Sequence, residues 1–234
     1  MLDEFSSDNP DEYIAGFPPH PHRGFETVTY IIDGKMEHED SAGNKGMLES
    51  GGIQWMTAGK GVIHSEMPMQ DKGLMRGFQL WLNLPAKLKM MEPRYQNIEK
   101  EQIPDIENND YRVKIIAGDF NGTKGPVNGV ITDPVYMDVE IFADKKFEYN
   151  VPGNHSLLAY VFEGEIDFGT TFIKKGNLVI FKEGDILNAS TNKTGGRFLV
   201  LAAKPLKEPV ARSGPFVMNT NEEIVQAYKD FGRG

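Results

Sequence analysis

The chain has 234 residues, of which 39% are hydrophobic and 25% are charged, a composition typical of a soluble globular protein with a substantial core. The formal net charge of -9, without any cluster of basic residues, argues against direct binding to nucleic acid, which needs Lys and Arg against phosphate. Because there is no cysteine, disulfides and thiolate metal sites are excluded, and any metal must be held by histidine and carboxylate.

The N-terminus, Met1-Leu2-Asp3-Glu4-Phe5, is acidic and therefore unlike a signal peptide. No apolar run approaches the roughly 18 residues that span a membrane. We therefore expect a cytoplasmic protein that does not bind membranes, and we expect a monomer.

The first motif is Phe17-Pro18-Pro19-His20-Pro21-His22. A proline after each of residues 17, 18 and 20 disfavours helix and favours an extended backbone. Because proline donates no ladder hydrogen bond, the segment is expected at a strand start, a sheet edge or a barrel rim. In an extended segment, His20 and His22 point to the same face and can present two ligands to one point.

The next stretch predicts a β-hairpin. Thr27 to Ile32 is rich in β-branched residues, Asp33-Gly34 is a turn signal, and Lys35 to Asp40 returns as a polar strand. His38 lies on the return strand among acidic residues, so we expect a solvent-exposed histidine there.

A second pair of potential ligands follows the turn Thr57-Ala58-Gly59-Lys60-Gly61, where Val62 to Glu66 has the pattern of a strand. His64 and Glu66 are again two residues apart and share a face. If the two strands face each other, they form a cage of three imidazoles and one carboxylate. This donor set suits divalent iron, manganese, nickel, copper or zinc; a purely structural metal, or simple packing of these residues, are the alternatives.

Met75 to Leu84 alternates as a buried strand, Pro85 can open a short helical turn that ends near Met91, and the polar residues 97 to 110 form a candidate linker. Beyond the linker the pattern is β again, with strands predicted at 112–116, 135–142, 157–162, 165–168, 178–181 and 198–203. Turn signals separate some of these strands, at Glu163-Gly164, Glu183-Gly184 and Gly195-Gly196. Thr220-Asn221-Glu222-Glu223 then predicts a capping box that opens a C-terminal helix, with an apolar stripe packed on a barrel.

A weak internal repeat indicates two barrels, because residues 29–34 align with 159–164 and residues from 52 align with those from 176. In this register the four potential ligands of the first half fall opposite Asn150, Pro152, Asn188 and Ser190. The second barrel is therefore predicted to lack metal ligands. His155 lies near the corresponding place, and we expect a structural or partly exposed histidine.

The two long motifs, from His20 to Tyr30 and from Gln54 to Pro68, resemble the pirin family of the cupin superfamily, and the resemblance continues through Glu92–Gln96 and Gly214–Thr220. It implies an all-β bicupin, that is, two tandem antiparallel β-barrels of the jelly-roll type with a C-terminal helix. With the linker, it predicts a metal-binding N-terminal barrel over residues 1–103. The C-terminal barrel, residues 104–234, would lack metal ligands and end in the helix.

The resemblance also implies one non-haem iron, Fe(II), on the residues that match the family's ligands: His20, His22, His64 and Glu66. Bacterial and mammalian members are associated with quercetin 2,3-dioxygenase activity, and the mammalian one with transcriptional co-regulation. We therefore expect an oxidoreductase that cleaves a small aromatic substrate, a flavonol such as quercetin, with O2. Glu66, or a hydroxide displaced from the metal, would accept the substrate's proton. The alternatives are a metal-dependent regulatory module that binds a protein partner without turnover, or an enzyme acting on another substrate.

Residues 2 to 5 resemble a family strand that is preceded in relatives by a few dozen further residues, so the chain is expected to begin late and to leave a sheet edge unpaired.

Glu26 has two readings. It lies an even number of residues from His20 and His22, so in a continuous strand it would point to the same face. The general cupin pattern would make it a ligand, whereas the pirin pattern places the carboxylate ligand at Glu66. We favour a residue that orients a ligating histidine, or a salt-bridge partner of Arg23 or Lys60.

The walls of the substrate pocket are predicted to include aromatic and sulfur-containing side chains near the ligands. The candidates are Phe25, Met56, Trp55 and Phe78, with ordinary core packing as the alternative.

Overall fold

The structure is a computed structural model that describes residues 1–182 and 184–233. The described chain is built mainly of antiparallel strands, which confirms the predicted all-β class. It forms two compact units: Met1–Lys100 together with Leu206–Gly234, and Glu101–Pro205. The boundary between residues 100 and 101 lies three residues from the predicted one. The difference is at the C-terminus: residues from 206 onward were predicted to belong to the second barrel, but they group with the first unit.

The first unit contains two sheets, in the strand orders β1-β8-β3-β6-β9 and β2-β7-β4-β5. Side chains from both sheets meet between them, as in the cluster of Ile31, Met36, Leu48 and Met75. The strands are β1 (Leu2–Ser7), β2 (Phe17–His22), β3 (Phe25–Asp33), β4 (Lys35–Asp40), β5 (Lys45–Glu49), β6 (Ile53–Thr57), β7 (Val62–Pro68), β8 (Met75–Asn83) and β9 (Arg94–Ile98). A short helix α1 (Pro10–Tyr13) follows β1, and 3₁₀ turns occur at Ala86–Leu88 and Lys100–Gln102.

The predicted hairpin at Asp33-Gly34 is wrong. The two strands exist, but β3 pairs with β6 and β8, whereas β4 pairs with β5 and β7. Gly34, with φ of 105°, lies where the chain leaves one sheet and enters the other. The turn signal is local and does not determine which strands pair.

Strand β2 lies at the edge of its sheet, next to β7, as its prolines predict. The register is irregular between Phe17 and His20 and then places His20 opposite His64. The two ligand strands are thus neighbours in one sheet, and not strands that face each other from opposite sides of a barrel.

The second unit contains a sheet with the main strand order β10-β11-β14-β19-β16-β17, in which β15 also pairs with β19 and β18 with β16. Its interior is filled by a large apolar cluster that includes Val113, Met137, Phe147 and Phe198. The strands are β10 (Asp105–Glu107), β11 (Tyr111–Ala117), β12 (Asp119–Phe120), β13 (Thr123–Lys124), β14 (Val135–Ile141), β15 (Lys146–Asn150), β16 (Ser156–Asp167), β17 (Phe172–Lys174), β18 (Asn177–Ile180) and β19 (Ile186–Ala203).

The predicted repeat placed Asn150 and Asn188 opposite His20 and His64. Both asparagines are exposed, and their neighbours Tyr149 and Leu187 belong to the apolar core. Ala159, which the repeat placed opposite Thr29, also lies in that core. The register of the repeat stays a prediction.

The predicted structural role of His155 is confirmed, since its ring lies 2.8 Å from the backbone oxygen of Asp133. The predicted turn at Glu183-Gly184 includes Glu183, which lies outside the described residues.

The C-terminal part of the first unit contains β20 (Ala211–Ser213), β21 (Phe216–Met218) and the helix α2 (Asn221–Phe231). The capping box is confirmed: the Thr220 hydroxyl accepts from the backbone of Glu223, whose carboxylate accepts from the backbone of Thr220. The buried side of the helix, Ile224 and Ala227, packs on β21. In the described part of the chain no helix is both long and apolar enough to span a membrane.

Glycine is required where β2 gives way to β3. Gly24 has φ of 87°, and a Cβ there would lie 2.1 Å from the backbone oxygen of Val217 on β21. Val217 also donates its backbone N–H to the oxygen of Arg23. The break between the strands is therefore covered closely by the C-terminal segment.

Candidate metal centre

His20, His22 and His64 converge on one point between the sheets of the first unit. One potential ligand atom from each lies within 4.8 Å of the others. The convergence follows from the register, because His20 stands directly opposite His64 and His22 lies two residues along the same edge strand. The sequence predicted these three residues from their spacing, and the fold brings them together.

The hydrogen bonds of His20 and His22 favour a cation between them. Nδ1 of His20 lies 2.9 Å from the backbone oxygen of Pro18, and Nδ1 of His22 lies 3.4 Å from that of Pro215. A carbonyl oxygen only accepts, so Nδ1 of each ring is the nitrogen placed to donate, which leaves Nε2 to offer a lone pair. The two Nε2 atoms lie 3.1 Å apart. Two lone pairs at this distance repel each other unless they share a positive ion.

His64 presents a nitrogen without a partner. Its side chain is buried, and among the described residues its Nε2 has no hydrogen-bond partner. Burial lowers the pKa of His64 to about 2, with further lowering by the neighbouring histidines. Burial likewise lowers the pKa of His22 to about 4. Both rings are therefore neutral at pH 7 and can donate a lone pair, so the residues present fit a bound divalent metal.

Glu66 lies in the same barrel, but the structure does not bring it into the group of three histidines. Its carboxylate is buried, and its two oxygens accept from the Thr29 hydroxyl at 2.7 Å and from the Gln79 amide at 2.8 Å. The Gln79 oxygen in turn accepts from the Trp81 indole N–H at 3.2 Å. The role of Glu66 as fourth ligand and proton acceptor stays a prediction.

The prediction that His38 is exposed is wrong. Only 1% of the residue is accessible, and its Nδ1 lies 3.4 Å from Nδ1 of His64. Tyr95 stacks on the ring at 5.0 Å, and the carboxylate of Asp40 lies 3.5 Å from Nε2. Burial lowers the pKa of His38. The signal in the sequence was parity: His38 alternates with Met36, whose side chain also points inward.

Glu26 does not reach the metal centre. The break at Arg23-Gly24 changes the alternation, so that Phe25 contacts His22 and Glu26 points to the opposite face of its sheet. There one carboxylate oxygen accepts from the Thr57 hydroxyl at 2.6 Å. The predicted salt-bridge partners of Glu26, Arg23 and Lys60, form ion pairs with other residues.

Arg23 pairs with Asp230 and Lys60 with Glu92. Glu26 is therefore a buried structural residue, and it does not orient a ligating histidine.

The candidate wall residues divide between the two faces of the same sheet. Met56 lies opposite Thr27 and so shares the face that carries Phe25. Trp55 and Phe78 lie opposite Val28 and Tyr30 and are therefore on the other face. The sequence reasoning missed two aromatic neighbours of the site: Trp81, 5.2 Å from the ring of His22, and Tyr95, which stacks on His38.

A cavity of about 510 Å³ adjoins the site at His22. Its walls are partly apolar, with Ile63, Met90 and Phe231, and partly charged, with Arg23 and Asp230. A second cavity of about 520 Å³, in the other unit, is lined by polar side chains such as Glu148 and Asn188. The only convergent group of metal-binding side chains found among the described residues is the one beside the first cavity.

Comparison with known proteins identifies the family of this chain. Residues 1–82 match the Pirin family model, and residues 136–234 match the model of the Pirin C-terminal cupin domain. A pirin-like protein of Caulobacter vibrioides is 46% identical, over 100% of this chain and 85% of its own length. A pirin-like protein of Arabidopsis thaliana is 41% identical, over 99% of this chain and 77% of its own length.

The fold is shared with a solved structure described as a quercetin 2,3-dioxygenase from Acinetobacter baumannii. The two structures superpose with a TM-score of 0.93 at 37% sequence identity. The aligned region covers 100% of this chain and 84% of the Acinetobacter baumannii chain. Both the sequence and the two-barrel cupin fold therefore place this chain in the pirin family.

Proposed function

We propose that this protein is a pirin-type oxidoreductase that binds one Fe(II) ion on His20, His22, His64 and Glu66 and cleaves a flavonol such as quercetin with dioxygen. The observation that carries the metal is the 3.1 Å approach of two imidazole lone pairs, on His20 and His22. The reaction class is supported by the relative from Acinetobacter baumannii, which is described as a quercetin 2,3-dioxygenase.

The donor set suits iron, and it also suits manganese, nickel, copper and zinc. His20, His22, His64 and Glu66 would hold the ion. When bound, the metal supplies Lewis acidity that makes the substrate's hydroxyl next to a carbonyl more acidic.

The residues around the metal have separate roles in this proposal. Glu66 accepts the hydroxyl proton of the substrate, and the hydrogen bonds from Thr29 and Gln79 orient its carboxylate. Phe25 and Trp81, whose rings lie 4.3 Å apart beside His22, exclude water from that side of the site. The adjoining cavity of about 510 Å³ has the size of a small-molecule site.

The test is metal analysis of protein purified without chelator, followed by anaerobic addition of quercetin and then of air. We expect about one iron per chain and catalytic oxygen uptake. His64→Ala should lose both metal and uptake. His155→Gln is the matched control, because this histidine bonds a backbone oxygen in the other unit, and it should retain both.

Glu66→Gln separates the two roles of the carboxylate. Loss of metal would assign Glu66 as a ligand, and retained metal with lost oxygen uptake would assign it as the proton acceptor alone. Metal without any turnover of quercetin would contradict the dioxygenase proposal and favour a regulatory module that binds a protein partner. A protein without metal in all preparations would contradict the proposal entirely.

A further inference from the structure

The three histidines of the metal centre are held in different ways at their second ring nitrogen. His20 and His22 each direct Nδ1 at a backbone oxygen, those of Pro18 and Pro215. His64 directs Nδ1 at another side chain, His38. His64 is therefore the histidine whose outer contact depends on a side chain and can be changed by substitution.

The hydrogen positions along this contact follow from the chemistry of the rings. A histidine that binds metal through Nε2 carries its hydrogen on Nδ1 and must donate it. Nδ1 of His38, at 3.4 Å, then has to accept, which places the hydrogen of His38 on Nε2. That nitrogen lies 3.5 Å from Oδ2 of Asp40, which is an electrostatic contact. Among the described residues Nε2 of His38 has no hydrogen-bond partner.

Asp40 is itself fixed at the end of β4. Its Oδ1 accepts from the backbone N–H groups of Ala42 and Asn44, each at 2.9 Å, and its Oδ2 accepts from the Asn44 side chain at 2.8 Å. Tyr95 covers one face of the His38 ring, with an interplanar angle of 22°. His64 is therefore within hydrogen-bond distance of His38, and His38 lies against a fixed carboxylate that attracts its Nε2–H.

We propose that His38, supported by Asp40, is a positioning residue of the metal centre that fixes the tautomer and orientation of His64. The inference rests on the proposed metal site, but it requires no particular substrate or reaction. Partners of this kind, outside the ligands themselves, typically change metal affinity by about 10- to 100-fold.

The test uses His38→Leu, which removes the acceptor, and His38→Asn, whose Oδ1 takes the place of Nδ1 and preserves it. Glu39→Gln is the matched control, because Glu39 is the next residue on the same strand and its side chain is exposed. Affinity for Fe(II) is measured anaerobically by competition with a chelator. The electron paramagnetic resonance spectrum of Cu(II) reports the geometry of the ligands.

We expect His38→Leu to lower the affinity for Fe(II) by about 10- to 100-fold and to change the Cu(II) spectrum. His38→Asn should recover most of the affinity, and Glu39→Gln should behave as wild type. Unchanged affinity in His38→Leu would overturn the inference. Equal losses in the Leu and Asn variants would also overturn it, since the packing of the ring would then matter and its acceptor would not.

Asp40→Asn provides a second variant if His38→Leu does not fold, and thermal unfolding of the metal-free proteins shows whether it does. Wild-type affinity in Asp40→Asn together with weak binding in His38→Asn would contradict the proposed series from His64 through His38 to Asp40. All readouts omit quercetin. A protein that shows the expected affinities but no oxygen uptake would therefore reject the proposed dioxygenase activity and leave this inference standing.

Discussion

Two buried glutamates of the first unit illustrate how the surroundings decide the chemistry of one residue type. Both oxygens of Glu66 accept hydrogen bonds, from Thr29 and Gln79. Glu26 is equally buried, but among the described residues its Oε2 has no hydrogen-bond partner. Burial accordingly raises the pKa of Glu26, although its bond from Thr57 opposes the shift. The two glutamates thus differ in how many of their oxygens accept hydrogen bonds.

Glu26→Gln should flatten the dependence of stability on pH. Because the pKa of Glu26 is higher in the folded protein than its ordinary value of 4.5, the folded state binds more protons just above that pH. The wild type therefore loses stability as pH rises from 4.5 through the folded pKa. The variant lacks this titration and should be at least as stable at pH 8.

Urea unfolding at pH 5 and pH 8 measures this effect, and metal content should equal that of the wild type. A variant that loses its metal would show that Glu26 belongs to the centre after all.

The C-terminal segment, Ala211–Phe231, supports the element that carries two of the proposed metal ligands, His20 and His22. β21 runs beside Arg23, directly after His22, and Asp230 on α2 pairs with the Arg23 guanidinium at 2.8 Å. The ammonium of Lys89 lies inside this junction. It donates to the backbone oxygens of Gly24 and Val217, each at 2.8 Å, and to the Asn83 side chain. One buried cation thus joins the strand break after His22 to the C-terminal segment.

Lys89→Met should destabilise the first unit by about 1–3 kcal/mol, because it leaves buried carbonyl oxygens without donors. Thermal or denaturant unfolding of the metal-free protein measures the loss. Lys87→Met is the control, since Lys87 lies on the 3₁₀ turn that Lys89 follows but is exposed, and it should change stability by less than about 0.5 kcal/mol. Equal effects of the two substitutions would contradict a role of Lys89 at this junction.

On the scale of the whole molecule, the two units differ in what fills them. The first unit keeps polar side chains between its sheets, including His22, His64 and Glu66. The second unit packs an apolar cluster in the corresponding place. Buried polar groups cost stability unless they are paired. The first unit therefore depends on hydrogen bonds and, in our proposal, on a bound metal, whereas the second is stabilised mainly by apolar burial.

Removal of the metal should loosen the first unit selectively. A ligand present at 100 times its dissociation constant stabilises the state that binds it by about 2.7 kcal/mol, and a chelator removes this contribution. Hydrogen exchange measured by mass spectrometry should therefore accelerate in β2, β4 and β7. The strands β14 and β16 of the second unit are the internal control, and equal acceleration there would contradict the prediction.

Much of the fold was predictable, because strand patterns and the capping box are local signals. The pattern identified β8, β11, β14, β18 and parts of β16 and β19, and Thr220 with Glu223 identified the helix. The predicted turns at Glu163-Gly164 and Gly195-Gly196 are wrong, because β16 and β19 continue through them with irregular register. Strands β10, β12, β13, β15 and β17 were not predicted. Strand pairing was not predictable from the same signals: the turn at Asp33-Gly34 joins two sheets instead of closing a hairpin. Pairing depends on partners far apart in the chain, which a local pattern does not contain.

The sequence by itself determined the chemistry available to the site: three histidines and a carboxylate in two pairs, in a chain without cysteine. Only the tertiary structure decided which side chains share it. It brought His38 beside His64, turned Glu26 to the other face and held Glu66 on Thr29 and Gln79. The physical reason is that alternation along a strand sets which residues share a face. The register with neighbouring strands, and breaks such as Gly24, set what that face meets.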